Sequence, residues 1–279
     1  MSITDRAASK IGAEAREATA QAAPWIERLA RFGYAAKGVV YIVVGYLAFE
    51  ASRGDGEATD SGGALQTIVS QPFGKALLWL IATGLVGYTV WRFVAAGLNP
   101  ERKGGPKRLG YAVSGLIHAG LSLEAFRLAT GSGGGQSGEQ QADHWTAQAM
   151  SHPMGKWAVA AVGIGIAIFG IQQLIHAWRV KLDDQLALGR LSAQTRHWVI
   201  RVGRAGLAAR GVVFSLVGIY LVLAALRSNP SEARGVGGAL QTLQEQSFGS
   251  LLLALVAIGL ISYGIYELVR ARYRRIRAT

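Results

Sequence analysis

The chain has 279 residues, 51% of them hydrophobic and only 16% charged, with 37 glycines and a mean hydropathy of +0.26. Soluble domains carry about a quarter charged residues, so this composition points to a membrane. The formal charge of +12 would suggest nucleic acid in a soluble protein, and the absence of cysteine excludes disulfides and thiolate metal sites.

In chain order, residues 1–23 mix Arg6, Lys10 and Arg16 with Asp5, Glu14 and Glu17 and lack the apolar core of a secretion signal. From Pro24, the residues Trp25, Ile26, Leu29 and Phe32 recur at helical spacing and predict a short interfacial helix. Six apolar segments follow: Ala35–Ala51, Ala76–Ala96, Leu109–Ala129, Trp157–Trp178, Ala205–Leu226 and Leu251–Val269. At about 20 residues each, most can cross a hydrocarbon core of about 30 Å. Lys37 and Glu50 stand near the ends of the first, where long side chains snorkel to water.

The positions of the charges decide what the basic excess means. The first, third and fifth connections, with the span ends beside them, hold only Arg53 and Lys75, Arg127 and Lys156, and Arg227 and Arg234. The other basic residues gather before the first span, in the second and fourth connections, in the span ends beside these and in the C-terminal tail. That alternation puts both termini in the cytoplasm, with the excess facing anionic lipid. No nucleic-acid partner is expected.

The sequence repeats itself. RFGYAAKGVVYIVVG at Arg31–Gly45 is matched by RAGLAARGVVFSLVG at Arg204–Gly218, with Gly33, Lys37 and Gly38 answered by Gly206, Arg210 and Gly211. GLVGYTVWRFV at Gly84–Val94, with Trp91 and Arg92, is matched by GLISYGIYELV at Gly259–Val269. A divergent middle copy begins KRLGYAVSGLIHAG at Lys107–Gly120. Each unit is two spans and a connection, so all three units point the same way and can be related by an axis along the membrane normal. The glycines suit close helix packing in lipid.

The connection GGALQTIVSQPFG at Gly62–Gly74 returns as GGALQTLQEQSFG at Gly237–Gly249. Its apolar residues Ala64, Leu65, Ile68 and Val69 share one helical face, opposite Gln66, Ser70 and Gln71. This reads as a short amphipathic cap over the spans, built on Gly62, Gly63 and Gln66 and on Gly237, Gly238 and Gln241. Pro72 ends it, Gly74 and Gly249 turn the chain, and Phe73 and Phe248 act as apolar plugs.

Titratable groups at membrane depth are functional candidates. The middle unit supplies most of them: His118, Glu124, Gln172, Gln173 and His176. Ser114 stands where the other units have Lys37 and Arg210, which are read as snorkelling cations, and Arg92 after Trp91 reads as an interface anchor. His118 and His176 differ in depth by about 10 Å, which disfavours a haem, and no His/Glu spacing suits zinc. GSGGGQSG at Gly131–Gly138 reads as a flexible loop, and no catalytic or phosphate-binding motif is recognised.

The repeated R-x-G-Y-A-A-K-G-V-V-Y, the GGALQ…QPFG connection and the G-L-x-x-Y-x-x-W-R ending together resemble the bacterial domain-of-unknown-function family 1206. Residues 28–275 carry the resemblance, and the middle unit departs from it at Ser114 and Gln172–Gln173. The resemblance implies a bacterial plasma membrane and six spans, and supplies no activity. The expectation is an all-α polytopic membrane protein: residues 1–27, then two-helix repeats at 28–100, 107–186 and 197–276, around an approximate threefold axis. Without cofactor or catalytic residues, the first expectation is an accessory bundle that associates with lipid, a protein partner or a second copy. The alternative is a solute or ion conduit using Glu124 and His118.

Overall fold

The computed structural model describes residues 3–98, 104–133, 138–179 and 186–274. Residues 134–137 of the glycine-rich loop lie outside them. Nine α-helices are present among the described residues: α1 (Ile3–Ser52), α2 (Ser61–Val69), α3 (Gly74–Gly97), α4 (Gly105–Thr130), α5 (Gly138–Met150), α6 (Gly155–Arg179), α7 (Ala193–Leu226), α8 (Val236–Gln244) and α9 (Gly249–Tyr273). Five of them hold segments long and apolar enough to cross a membrane: α1 from Glu27, α3, α6, α7 and α9. Helix α4 has the length, 26 residues, but Lys107, Arg108, His118, Glu124 and Arg127 make it less apolar.

The predicted interfacial helix before the first span is not a separate element. Helix α1 runs unbroken from Ile3, with Pro24 inside it. A proline removes one backbone hydrogen bond and strains one turn, a cost that a helix of 50 residues can absorb.

Three short helices, α2, α5 and α8, cover one end of the bundle. Asp60 starts α2 by accepting the Gly63 N–H at 3.0 Å. Ala64, Leu65 and Ile68 are buried, as their spacing requires, while Ser70 and Gln71 are exposed. In the third connection Ala239 and Leu240 are buried likewise.

The turn that follows differs from expectation. Phe73 and Phe248 are not plugs: they are 89% and 83% exposed, and both adopt left-handed backbone, φ 62° and 61°. That conformation turns the ring outward. The glycine after each is required for close approach. A Cβ on Gly74 would lie 2.0 Å from the Ile68 carbonyl oxygen, and one on Gly249 would lie 1.8 Å from that of Gln244. Gly155 stands in the same relation to Ala149, at 1.7 Å.

The long helices pack in the order α4–α3–α1–α9–α7–α6. Partners within the first and third pairs touch, as do the helices that meet between repeats, α3 with α4, α1 with α9 and α6 with α7. The two long helices of the middle pair, α4 and α6, share no extensive interface. An apolar core including Val40, Val44, Leu65, Leu85, Val213, Leu240 and Leu253 fills the centre toward the α2 and α8 caps.

Candidate functional site: a buried charge cluster between the first and last helices

Below that core, where the middle of α1 meets the end of α9 near Arg31 and Arg274, the packed residues become charged and aromatic. Lys37 of α1 is only 4% exposed. Its Nζ donates to the Tyr263 hydroxyl at 2.9 Å and to Glu267 Oε1 at 3.1 Å, and both partners belong to α9. The snorkelling expected of Lys37 is therefore corrected: a counter-charge within the bundle holds the ammonium inside. Glu267 is fully buried and also accepts from Arg270 at 2.7 Å.

Tyrosines complete the surroundings. Lys37 Nζ lies 5.1–5.7 Å from the ring centroids of Tyr41, Tyr88 and Tyr263, within the range of cation–π attraction. Arg210 does not snorkel either. It donates to Tyr41 and Tyr263 hydroxyls at 3.1 and 2.9 Å and lies over the Phe214 and Tyr263 rings. Arg270 lies over the Tyr34 ring, 4.6 Å from its centroid. Hydroxyls and ring faces thus solvate the cations where water would do so at a surface.

The repeat explains why these residues meet. Corresponding positions Tyr41, His118 and Phe214 face corresponding positions Tyr263, Tyr88 and Phe169 across the interfaces between repeats. The ring centroids are 4.7, 4.5 and 5.4 Å apart, respectively. The outer ring of the same register changes sign along the chain: Arg92 in α3 becomes Gln173 in α6 and Glu267 in α9. Only α9 therefore brings a carboxylate to the cation at position 37.

The repeated arginine caps a neighbouring helix in the first two units. Arg31 donates to the carbonyls of Ala271 and Arg272 at 2.9 and 2.8 Å, at the end of α9. Arg108 does the same to Ala96 and Gly97 of α3, at 2.8 and 3.0 Å. Orphan carbonyls at a helix C-terminus are thereby satisfied by a cation that also suits the helix dipole. Arg204 is exposed.

Other predicted site residues are placed as follows. Trp91 is buried with Ala30, Tyr34 and Tyr88, not at an interface. Arg92 is half-buried, bonded to the Tyr88 hydroxyl and over the Tyr111 ring. Gly33, Gly38, Gly206 and Gly211 lie where a Cβ would meet a neighbouring helix at under 3 Å. Gly62 lies beside Glu124; the backbone of Gly63 is used by Asp60; Gly237 and Gly238 are buried; and Gln241 reaches the Ala58 carbonyl at 3.5 Å. Gln66 is half-buried on α2 and Pro72 is exposed.

The polar residues of the middle unit do not form one site. His118 is buried against Tyr88, with Nδ1 2.7 Å from the Ser114 carbonyl. Glu124 lies near Asp60 and the start of α2. Gln172 is exposed, Gln173 half-buried, and His176 is in the last turn of α6. In the α5 cap, burial raises the Asp143 carboxyl pKa, opposed by Arg234. No cluster of three or more metal-ligating side chains occurs among the described residues.

The domain family described as Domain of Unknown Function (DUF1206) matches the sequence three times, over residues 32–98, 109–180 and 205–274. The chain belongs to this family. It is also similar to the uncharacterized protein YxxB of Bacillus subtilis (strain 168), at 35% identity over 281 residues. That alignment covers 99% of this chain and 98% of the other. No solved structure matches. The residues of the buried cluster, from Tyr34 to Arg270, all lie within the matched segments or their intervening spans.

Proposed function

We propose that this chain is a six-span protein of the bacterial plasma membrane, with both termini in the cytoplasm, that serves as a non-enzymatic accessory bundle. Helix α4 is the sixth span in this reading. The single observation that carries it is the direct pairing of Lys37 with Glu267 across α1 and α9, below a centre filled by apolar side chains. Arg270 shares the carboxylate and tyrosine hydroxyls accept from Lys37 and Arg210, so the cluster is bonded within itself and the apolar centre above it offers no polar lining to carry a solute. Packing in the order of the repeats supports an approximate threefold arrangement about the membrane normal. The lipid-facing flanks of α4 and α6 supply the surface through which such a bundle meets other membrane components, whether lipid, a protein partner or a second copy.

The alternative, a conduit using Glu124 and His118, would need polar groups of all three units around one passage. His118 instead stacks on Tyr88, and Glu124 sits by the α2 cap. Reconstitution into liposomes tests the two readings together. Wild type and Glu124→Gln are both expected to leave ion and small-solute flux at the level of protein-free vesicles. A wild-type flux lost in Glu124→Gln would replace the accessory reading with the conduit.

A further inference from the structure

Helices α4 and α6 stand apart at positions where the other two pairs are closed. In the outer pairs, a Cβ on Gly33 would lie 2.5 Å from Tyr88 Cβ, and one on Gly206 would lie 2.4 Å from Tyr263 Cα. A Cβ on Gly84 would lie 2.6 Å from Ala36, and one on Gly259 would lie 2.3 Å from Ala209. The corresponding glycines of the middle pair are Gly110 and Gly165, and a Cβ on either meets nothing within 4 Å. The flanking positions behave alike. Val40 and Val213 are 3% and 2% exposed, while their counterpart Ile117 is 56% exposed. Ile81 is 2% exposed and Val162, its counterpart, 57%.

Ile117 and Val162, exposed on the two walls, are aliphatic. Water entering there would find few hydrogen-bond partners, so an apolar occupant is favoured. The end of the crevice nearest the chain termini is different. Lys107 lies in the first turn of α4, exposed beside the N-cap Gly104. Lys107 is within electrostatic reach of His176, which shares the last turn of α6 with Arg179. The cations Lys107 and Arg179 at this end suit a phosphate. At the opposite end Glu124 and Asp60 face each other and would repel one.

We infer that the crevice between α4 and α6 seats one anionic phospholipid, with its phosphate at Lys107 and an acyl chain along Ile117 and Val162. The inference rests on the membrane reading above, with α4 as a span. An acyl chain fills the volume that α4 and α6 leave between them, and the basic mouth fixes the lipid's orientation and headgroup charge.

The test is native mass spectrometry of the full chain, purified in mild detergent and exposed to equal amounts of phosphatidylglycerol and phosphatidylethanolamine. Wild type is expected to retain one phosphatidylglycerol. Gly165→Phe, which fills open space, is expected to lose it while keeping the wild-type melting temperature; Gly110→Phe serves as a second filling variant. Lys107→Glu is expected to lower the preference for phosphatidylglycerol about tenfold or more. The inference is overturned if wild type retains no phospholipid, or if both filling variants retain as much as wild type. It is equally overturned if wild type is a dimer that either filling variant makes monomeric, since a second copy would then be the occupant. A chain that stays in solution without detergent would instead refute the membrane reading itself.

Discussion

Lys37 and Glu267 are 230 positions apart in the chain and 3.1 Å apart in the fold, both almost completely withdrawn from the surface. Attraction between them is strong because little water screens it, yet each ion's desolvation is costly. Glu267 pairs with Arg270 as well as with Lys37, so the two single removals are unequal. Glu267→Gln alone is expected to lower stability by about 3–5 kcal/mol, and Lys37→Met alone by less, since Arg270 still neutralises the carboxylate. The double variant is expected to lose less than the sum of the two. Unfolding of the four proteins in mixed micelles gives the coupling energy; strict additivity would mean that the contact contributes nothing.

Close helix contact gives a second expectation. Gly206→Leu drives a side chain into the Tyr263 backbone, which cannot yield without moving α9. Its thermal midpoint should fall sharply, or the protein should fail to accumulate. A single-site contrast is Gly38→Ala, where the new Cβ would lie 2.8 Å from the Gly264 carbonyl oxygen. A smaller but clear loss is expected there, read by the same melting curves.

The phenylalanines in left-handed backbone make an opposite prediction. Phe73→Gly relieves a conformation that costs an L-residue roughly 1 kcal/mol or more. The ring it removes is 89% exposed, so little packing is lost. Stability in detergent should hold or rise. A drop would show that the ring contributes more than its left-handed backbone costs.

Ser122 donates to the Ala82 carbonyl at 3.0 Å across α4 and α3. It occupies the register of Gly45 and Gly218, so this interface uses a hydrogen bond where the others use bare backbone. Ser122→Ala is expected to cost about 0.5–1 kcal/mol, the range seen for side-chain bonds between membrane helices. Denaturant titration in micelles resolves a change of that size.

Because the sequence has no cysteine, orientation can be read with single introduced thiols. Gly56→Cys, in the connection after α1, should react with an impermeant maleimide in intact cells. Gln194→Cys, at the start of α7, should react only after the membrane is opened. The reverse pattern would invert the proposed topology.

The sequence reveals the repeat because arginine, glycine and aromatic spacings survive duplication in linear order. It reveals the caps because Ala64, Leu65 and Ile68 recur at helical period. What it conceals is partnership between repeats. Periodicity tells which face of α1 is buried, but not that α9 lies against it, so Lys37 looks like a snorkelling residue. A signal was present: the register that holds Arg92 in one unit holds Glu267 in another, and a carboxylate in an apolar span needs a cation. The open middle pair is invisible for a different reason. Gly110 and Gly165 remain where the closed pairs have theirs, so composition alone suggests a third close contact.

The order of synthesis gives the Lys37–Glu267 contact one more consequence. Helix α1 reaches the bilayer first and α9 last, so the ammonium waits without its counter-ion until nearly the whole chain has been made. In the proposed membrane arrangement, a chain that stops before α9 leaves Lys37 without the carboxylate that Glu267 supplies. Completeness of translation is in this way written into the energetics of a single salt bridge.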